Sequence, residues 1–386
     1  MKKLLNKALT TVAVLSVLAG CASEEDTIVM APVPQVDNEF TASSVWSRSV
    51  GDGVEHYFSK LTPAYAYDKV FVASRQGEVT ALNPETGDQL WSTDLEQDVP
   101  ARLAGGIAAA YDKLFIGSEN GEVIALNQET GELLWRAKVQ GEVLSVPATD
   151  ENLVMAHTSE GVLVALDQQS GEQKWAISTE VPTLTLRGTS APMAVSGGVF
   201  WGTANGRLAA AIVQRGQLIW QQPIGTPKGA TEIDRIVDVD ASPMLMGSTL
   251  FVIGYNGQLT AIDLRSGQPG WKRTYSSATD LANDGSRVFL VTDKDHLVAV
   301  DARSGTELWN NKQLEHRLLT APKVLGDYVV VGDSEGYLYW IDRSSGEFVS
   351  MQEEGSGGFA VGPILLDDGI VITTRNGNVK KLTLSE

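Results

Sequence analysis

An all-β fold, an eight-bladed β-propeller built from four-stranded antiparallel blades, is predicted by three features of this 386-residue sequence. The stretch ALNPETGDQLW (81–91) returns forty-four residues later as ALNQETGELLW (125–135). Seven units of one form (Gly, strand, Asn or Asp, turn, Gly, strand, Trp) follow one another, each with first and last residues fourteen positions apart. The two ends of the chain are complementary: GNVKKLTL (377–384) stops short of a Trp strand, and VWSRSV (45–50) is a Trp strand with no hairpin before it. A period near 40–50 residues marks a repeat architecture, and complementary ends turn a row of repeats into a ring.

The units are GEVTALNPETGDQLW (77–91), GEVIALNQETGELLW (121–135), GVLVALDQQSGEQKW (161–175), GRLAAAIVQRGQLIW (206–220), GQLTAIDLRSGQPGW (257–271), DHLVAVDARSGTELW (295–309) and GYLYWIDRSSGEFVS (336–350). Each reads as a hairpin. The Asn or Asp side chain bonds forward onto the turn, and the Gly of T-G or S-G supplies the positive φ that closes it. Upstream of each lies another alternating pair, such as TPAYAYDKVFVAS (62–74) and APKVLGDYVVVGD (321–333), so a period holds four short strands. The 347 residues from 40 to 386 divided among eight blades give about 43 each, the size of a four-stranded blade.

Seven tryptophans, Trp46, Trp91, Trp135, Trp175, Trp220, Trp271 and Trp309, take the same place on the outermost strand. Each is expected to pack between neighbouring blades with its N–H on a carbonyl. Three departures interrupt the repeat: Ser350 for a Trp, Asp295 for a Gly, and Val213 where the turn Asp or Asn is expected.

The first twenty residues stand outside this fold. Lys2, Lys3 and Lys7 precede the apolar run ALTTVAVLSVLA (8–19), which is too short to span a bilayer and reads as a secretory signal. LAGC (18–21) resembles the lipobox of bacterial lipoproteins, which makes Cys21 the expected lipidation site, the signal being cut before it. Ala22 and Ser23 after it resemble the pattern retained at the outer membrane, so the expected location is that membrane, lipid-anchored and facing the periplasm. Residues 21–39 read as the lipidated Cys and a flexible tether, and 40–386 as the propeller.

Without the three signal lysines, 27 basic residues stand against 48 acidic ones, a net charge of −21. That argues against nucleic acid and against charge-driven binding to lipid headgroups, leaving the anchor as the membrane contact. Cys21 is the sole cysteine, so no intramolecular disulfide supports the fold.

The repeat A-x-[DN]-x-x-[TS]-G-x-x-x-W resembles the tryptophan-docking motif of quinoprotein dehydrogenases, which makes a cofactor-binding propeller enzyme the alternative to weigh. Those enzymes pair adjacent cysteines over their cofactor, which one acylated Cys does not supply. His56, His157, His296 and His316 read as isolated, with no metal-binding spacing. The expectation is no catalytic residue, no metal and no cofactor.

Function then falls to loops. The longest connections on one face include 46–63, 175–192 and 220–243, and the last two flank the fourth blade. They carry VPTLTLRGTSAP (181–192) and EIDRIVDVD (232–240), a mixture of exposed apolar and charged residues suited to a protein contact. With the lipobox, the tether and the eight repeats, these loops resemble the BamB family, lipoprotein subunits of the outer-membrane β-barrel assembly (BAM) complex. The resemblance implies a non-enzymatic scaffold that assists delivery and insertion of β-barrel proteins. It also implies docking on the POTRA domains of BamA through Leu184, Leu186, Arg187, Asp238 and Asp240, with unfolded outer-membrane proteins as further partners, held by strand addition.

Overall fold

The computed structural model describes residues 28–384, and every regular element among them is a β-strand. The signal and Cys21 lie outside the described residues. Thirty-two strands form eight antiparallel sheets of four. Blades 1 to 7 occupy 64–94, 103–138, 148–178, 193–223, 244–273, 282–311 and 323–353 in unbroken chain order. Blade 8 takes three strands from 364–383 and its fourth from Ser43–Ser49, which pairs antiparallel with Asn378–Thr383. The ring closes as the complementary ends predict.

The burial patterns explain why the repeat reads as it does. The two middle strands of a blade are covered on both sides by neighbouring blades, so Lys69–Ala73 and Glu78–Leu82 are buried almost throughout. The outermost strand keeps one face in solvent and alternates, as in Gln89–Asp94. The core therefore lies between blades: Phe71, Val79 and Ala81 of blade 1 pack with Leu103, Leu114 and Ile116 of blade 2.

Each blade also has a bulge that the repeat does not announce. Ala81 faces Trp91 but Leu82 faces Gln89, leaving Leu90 unpaired, and the same skip falls just before the Trp position in all eight blades. An extra residue twists an edge strand locally, and here it accompanies a ring laid over the next blade. Trp46, Trp91, Trp135, Trp175, Trp220, Trp271 and Trp309 each lie against the turn glycine of the following blade; a β-carbon at Gly131, for example, would sit 2.5 Å from Trp91 Cε3. Six of the seven donate their indole N–H to a carbonyl of that turn, Trp46 to Pro84 at 2.9 Å and Trp175 to Val213 at 2.8 Å among them. Trp220 is rotated, with Cε2 and Nε1 nearest Gly267.

The departures resolve individually. The turn position equivalent to Asn127 is Ile212, whose carbonyl accepts the Gly216 N–H as that of Asn127 accepts Gly131 N–H; Val213 is the next residue, whose carbonyl serves Trp175. Asp295 adopts φ +61°, which its short side chain tolerates, and its carboxylate accepts the Leu318 and Leu319 N–H groups at 2.9 and 2.8 Å. Ser350 sits at the seam. Blade 8 has no third-to-fourth turn, because the chain is cut there, so a Trp on blade 7 would have no turn glycine to rest on.

The N-terminal segment fills that gap. Ser350 Oγ donates to the Phe40 carbonyl, and the Phe40 ring lies 5.5 Å from Trp340 and 5.1 Å from Tyr328. Trp340, opposite Ser350, holds the position where blades 1 to 6 have Ala, so the large and small members of the pair are exchanged. Glu39 N–H bonds the Val349 carbonyl at 3.0 Å, Asn38 brackets Met351, and Ala31 N–H bonds Glu315 O at 2.9 Å. Residues 31–39, read as tether from their polar, period-free sequence, thus run against blade 7 through backbone bonds and the Asn38 amide, which need no side-chain period.

Candidate partner-docking face

Connections from each outermost strand to the next innermost strand emerge on one face, and 178–192 and 223–243 lie side by side there, on either flank of blade 4. The two loops are fastened together from beneath. Asp238 accepts the Leu186 N–H, and Ser190 Oγ donates to Ala241 O at 3.0 Å. Gly188 passes so close to Asp240 that a β-carbon would stand 2.5 Å from its Oδ2, so a side chain at this crossing would have to displace the Asp240 carboxylate. Thr189 Oγ1 donates to Ser145 Oγ at 3.0 Å, joining the loop to the neighbouring connection as well.

Arg187 is exposed and reaches sideways, to Glu142 at 3.0 Å and Glu119 at 3.7 Å. Glu119 also holds Arg75 at 2.6 Å, so an ion network crosses three blades along this face. Leu184 is 41% exposed, beside Val181 on the same loop, and Ile233 on the adjacent loop is 69% exposed. Leu186 is half-buried and lines a cavity of about 260 Å³ under the loop.

Asp238 and Asp240 are only 1% and 7% exposed, so they are not the acidic surface the resemblance implies. The whole run Ile236–Ala241 is buried, because the end of the 223–243 loop dives under 178–192 before entering blade 5. Their part is to hold the loop that carries Leu184 and Arg187. Burial pushes the Asp238 carboxyl up to about 7, against the Leu186 N–H and with a further push from Asp240. Burial likewise raises Asp240, opposed by Lys60 and reinforced by Asp280. His157, on the wall of the same cavity, is pressed down to about 4 by burial; its Nδ1 lies 3.2 Å from Ser190 O.

Glu142, Glu119, Gly188 and His157 carry weight that sequence reasoning missed. Glu142 and Glu119 sit in connections of ordinary length, and nothing local marks their reach to Arg187. Two histidines that read as isolated, His296 and His316, meet at Glu315, at 3.1 and 4.0 Å. Among the described residues no three His, Cys, Asp or Glu side chains gather as a metal-binding group, and Cys21 is not among them.

A family model described as outer membrane protein assembly factor BamB matches residues 32–104, 75–311 and 278–359. The chain is 68% identical over 386 residues to the outer membrane protein assembly factor BamB of Vibrio cholerae, covering 100% of both. The crystal structure of BamB from Moraxella catarrhalis superposes with a TM-score of 0.81 at 25% identity, over 89% of this chain and 100% of that one. A quinohemoprotein alcohol dehydrogenase from Comamonas testosteroni gives a TM-score of 0.69 at 14% identity, over 89% of this chain and 76% of that one, a likeness of fold alone. With a ring of eight blades joined at seven of their seams by a docked tryptophan, and a family match running through most of it, the chain belongs to the BamB family of outer membrane protein assembly factors.

Proposed function

We propose that this protein is a non-enzymatic scaffold of the BAM complex, anchored to the outer membrane through lipid on Cys21, its propeller in the periplasm. It binds the POTRA domains of BamA through the face bearing 178–192 and 223–243, and so assists delivery and insertion of β-barrel proteins. The observation that carries this reading is the construction of that face. Buried Asp238 and Asp240, Gly188 and the Glu142–Arg187 pair fix a loop that exposes Leu184, with Val181 exposed on the same loop and Ile233 exposed on the adjacent one. A pre-formed apolar knob within a polar frame binds with little ordering cost.

The test is co-purification of the intact chain with BamA from solubilised outer membranes. Leu184→Ala with Arg187→Ala should lower recovery at least roughly tenfold, the scale of losing one good anchor, with the melting curve unchanged. Cys21→Ser should release the protein from the membrane while leaving its capture by purified POTRA domains intact. Undiminished recovery of the double variant would count against this face.

A further inference from the structure

On the propeller axis, at the same face, lies a second cavity of about 380 Å³. It is lined by lead-ins to the innermost strands, with Phe58 at its edge, and three cations converge on it: Lys60, Lys323 and Arg375. In a chain whose acids outnumber its bases, 48 to 30, three cations gathered at one cavity stand out, and other cations at least as buried, Arg75, Arg136, Arg317 and Lys381, are each paired with a carboxylate.

Among the described residues none of the three axial cations lies within ion-pair distance of a carboxylate. Lys60 Nζ donates to the carbonyls of Asp240 and Ala278 at 3.2 and 3.4 Å. Arg375 Nη1 donates to the carbonyls of Glu55 and Tyr57 at 3.5 and 3.2 Å. Burial holds Arg375 below its ordinary pKa, with no carboxylate opposing it. Lys323, at the start of blade 7, is half-buried and makes no ion pair. The carboxylate on the wall is Asp280, committed to the Ser242 N–H at 2.7 Å, and Asp240 lies below, near Lys60.

Partly desolvated cations are costly where no carboxylate pairs with them; Lys60 has only the buried Asp240 near it, Arg375 and Lys323 have no carboxylate within ion-pair distance among the described residues, and their unused N–H donors point to an anionic ligand. The rim says what kind. Phe58, at the edge of the cavity, is 52% exposed. A free inorganic anion would gain nothing from such a rim, whereas a peptide that alternates acidic and apolar side chains would meet both.

We propose that the axial cavity is a binding site for an acidic, apolar-flanked segment of a partner protein, its carboxylates entering between Lys60, Lys323 and Arg375. This goes beyond loop docking: the cavity shares Thr189, Ala191 and Ser242 with the docking loops, but Lys323 and Arg375 make no hydrogen bond to 178–192 or 223–243, so substitutions there test the axial site separately.

The intact chain in detergent is titrated into a fluorescein-labelled peptide of alternating Glu and Leu, and polarisation is read. The same peptide with Gln for Glu is the control. The Glu peptide should bind at least roughly tenfold more tightly than the Gln peptide, as expected for one or two charge-assisted hydrogen bonds. Lys323→Gln, which breaks no hydrogen bond within the chain, should weaken it about threefold or more, and Lys323→Gln with Arg375→Gln at least about tenfold, while Leu184→Ala leaves it unchanged. Equal binding of the Gln peptide, indifference to Lys323→Gln, or displacement by equimolar inorganic phosphate would overturn the proposal. Near-ultraviolet circular dichroism of each variant checks the fold, and Lys323→Gln alone decides the matter if Arg375→Gln loosens the 49–63 loop.

Discussion

Two buried groups under the docking loop respond to acid in opposite senses. Asp238 has its folded pKa raised to about 7 from its usual carboxylate range. Between about pH 4 and pH 7 the folded chain therefore holds a proton that the unfolded chain has lost, and stability falls as pH rises across that window. His157 has its folded pKa lowered to about 4, so between about pH 4 and 6.5 the unfolded chain binds the extra proton and stability falls as pH drops. Asp238→Asn should accordingly gain on the parent chain by on the order of 1–3 kcal/mol in going from pH 5 to pH 8, and His157→Gln should lessen the loss below pH 6. Urea unfolding at several pH values reads both; a pH-independent difference between Asp238→Asn and the parent would refute the first. The site was only half legible at this scale. Leu184 stands out in sequence because it lies in a long loop between threonines, but the burial of Asp238 and Asp240 depends on one loop passing beneath another, which no local pattern encodes.

A blade is a hairpin pair plus a docking ring, and its sequence signature was legible because each part has a fixed stereochemical job. The turn Gly must accept positive φ and leave room for the preceding blade's indole, as at Gly87 (φ +69°, with Trp46 beneath). The bulge before each Trp was not legible: six of the eight skipped residues are branched aliphatics, but an aliphatic at a strand position reads as ordinary pairing, and Lys174 and Gly270 take the same place in blades 3 and 5. Blade 7 tests the account of the seam. Ser350 is fully buried under Phe40 and Trp340, so Ser350→Trp should destabilise the chain by about 1–3 kcal/mol through overpacking. Phe40→Ala should cost about 2–3 kcal/mol by leaving a gap against Tyr328 and Trp340. Equilibrium denaturation measures both, and a neutral Ser350→Trp would mean that blade 7 can dock a ring without a turn to receive it.

The ring as a whole depends on the strand that arrives first and is placed last. Ser43–Ser49 completes blade 8, and Trp46 rests on Gly87 of blade 1, so this one strand joins the two ends of the repeat array. Deleting 22–50 should abolish single-step unfolding and lower the midpoint, while deleting 22–30 leaves both unchanged; near-ultraviolet circular dichroism through a thermal ramp distinguishes them. The number of blades was legible because each end of the sequence lacks what the other has. The path of residues 31–42 along blade 7 was not, since it is secured by main-chain groups, by the amides of Asn38 and Gln352 and by one phenylalanine, with no periodic pattern to mark it.

That path has a consequence for where the molecule hangs. Ala31 is gripped by Glu315 and by Arg317, a guanidinium buried between Asp333 and Glu335, on the connection 311–323. The leash thus leaves from the same side that carries Leu184 and the axial cations. With Cys21 acylated as proposed, the ten residues 21–30 pay out at most about 35 Å of line. On that proposal the docking side would look toward the lipid from a short mooring, and a partner bound there would sit in the narrow berth between propeller and bilayer.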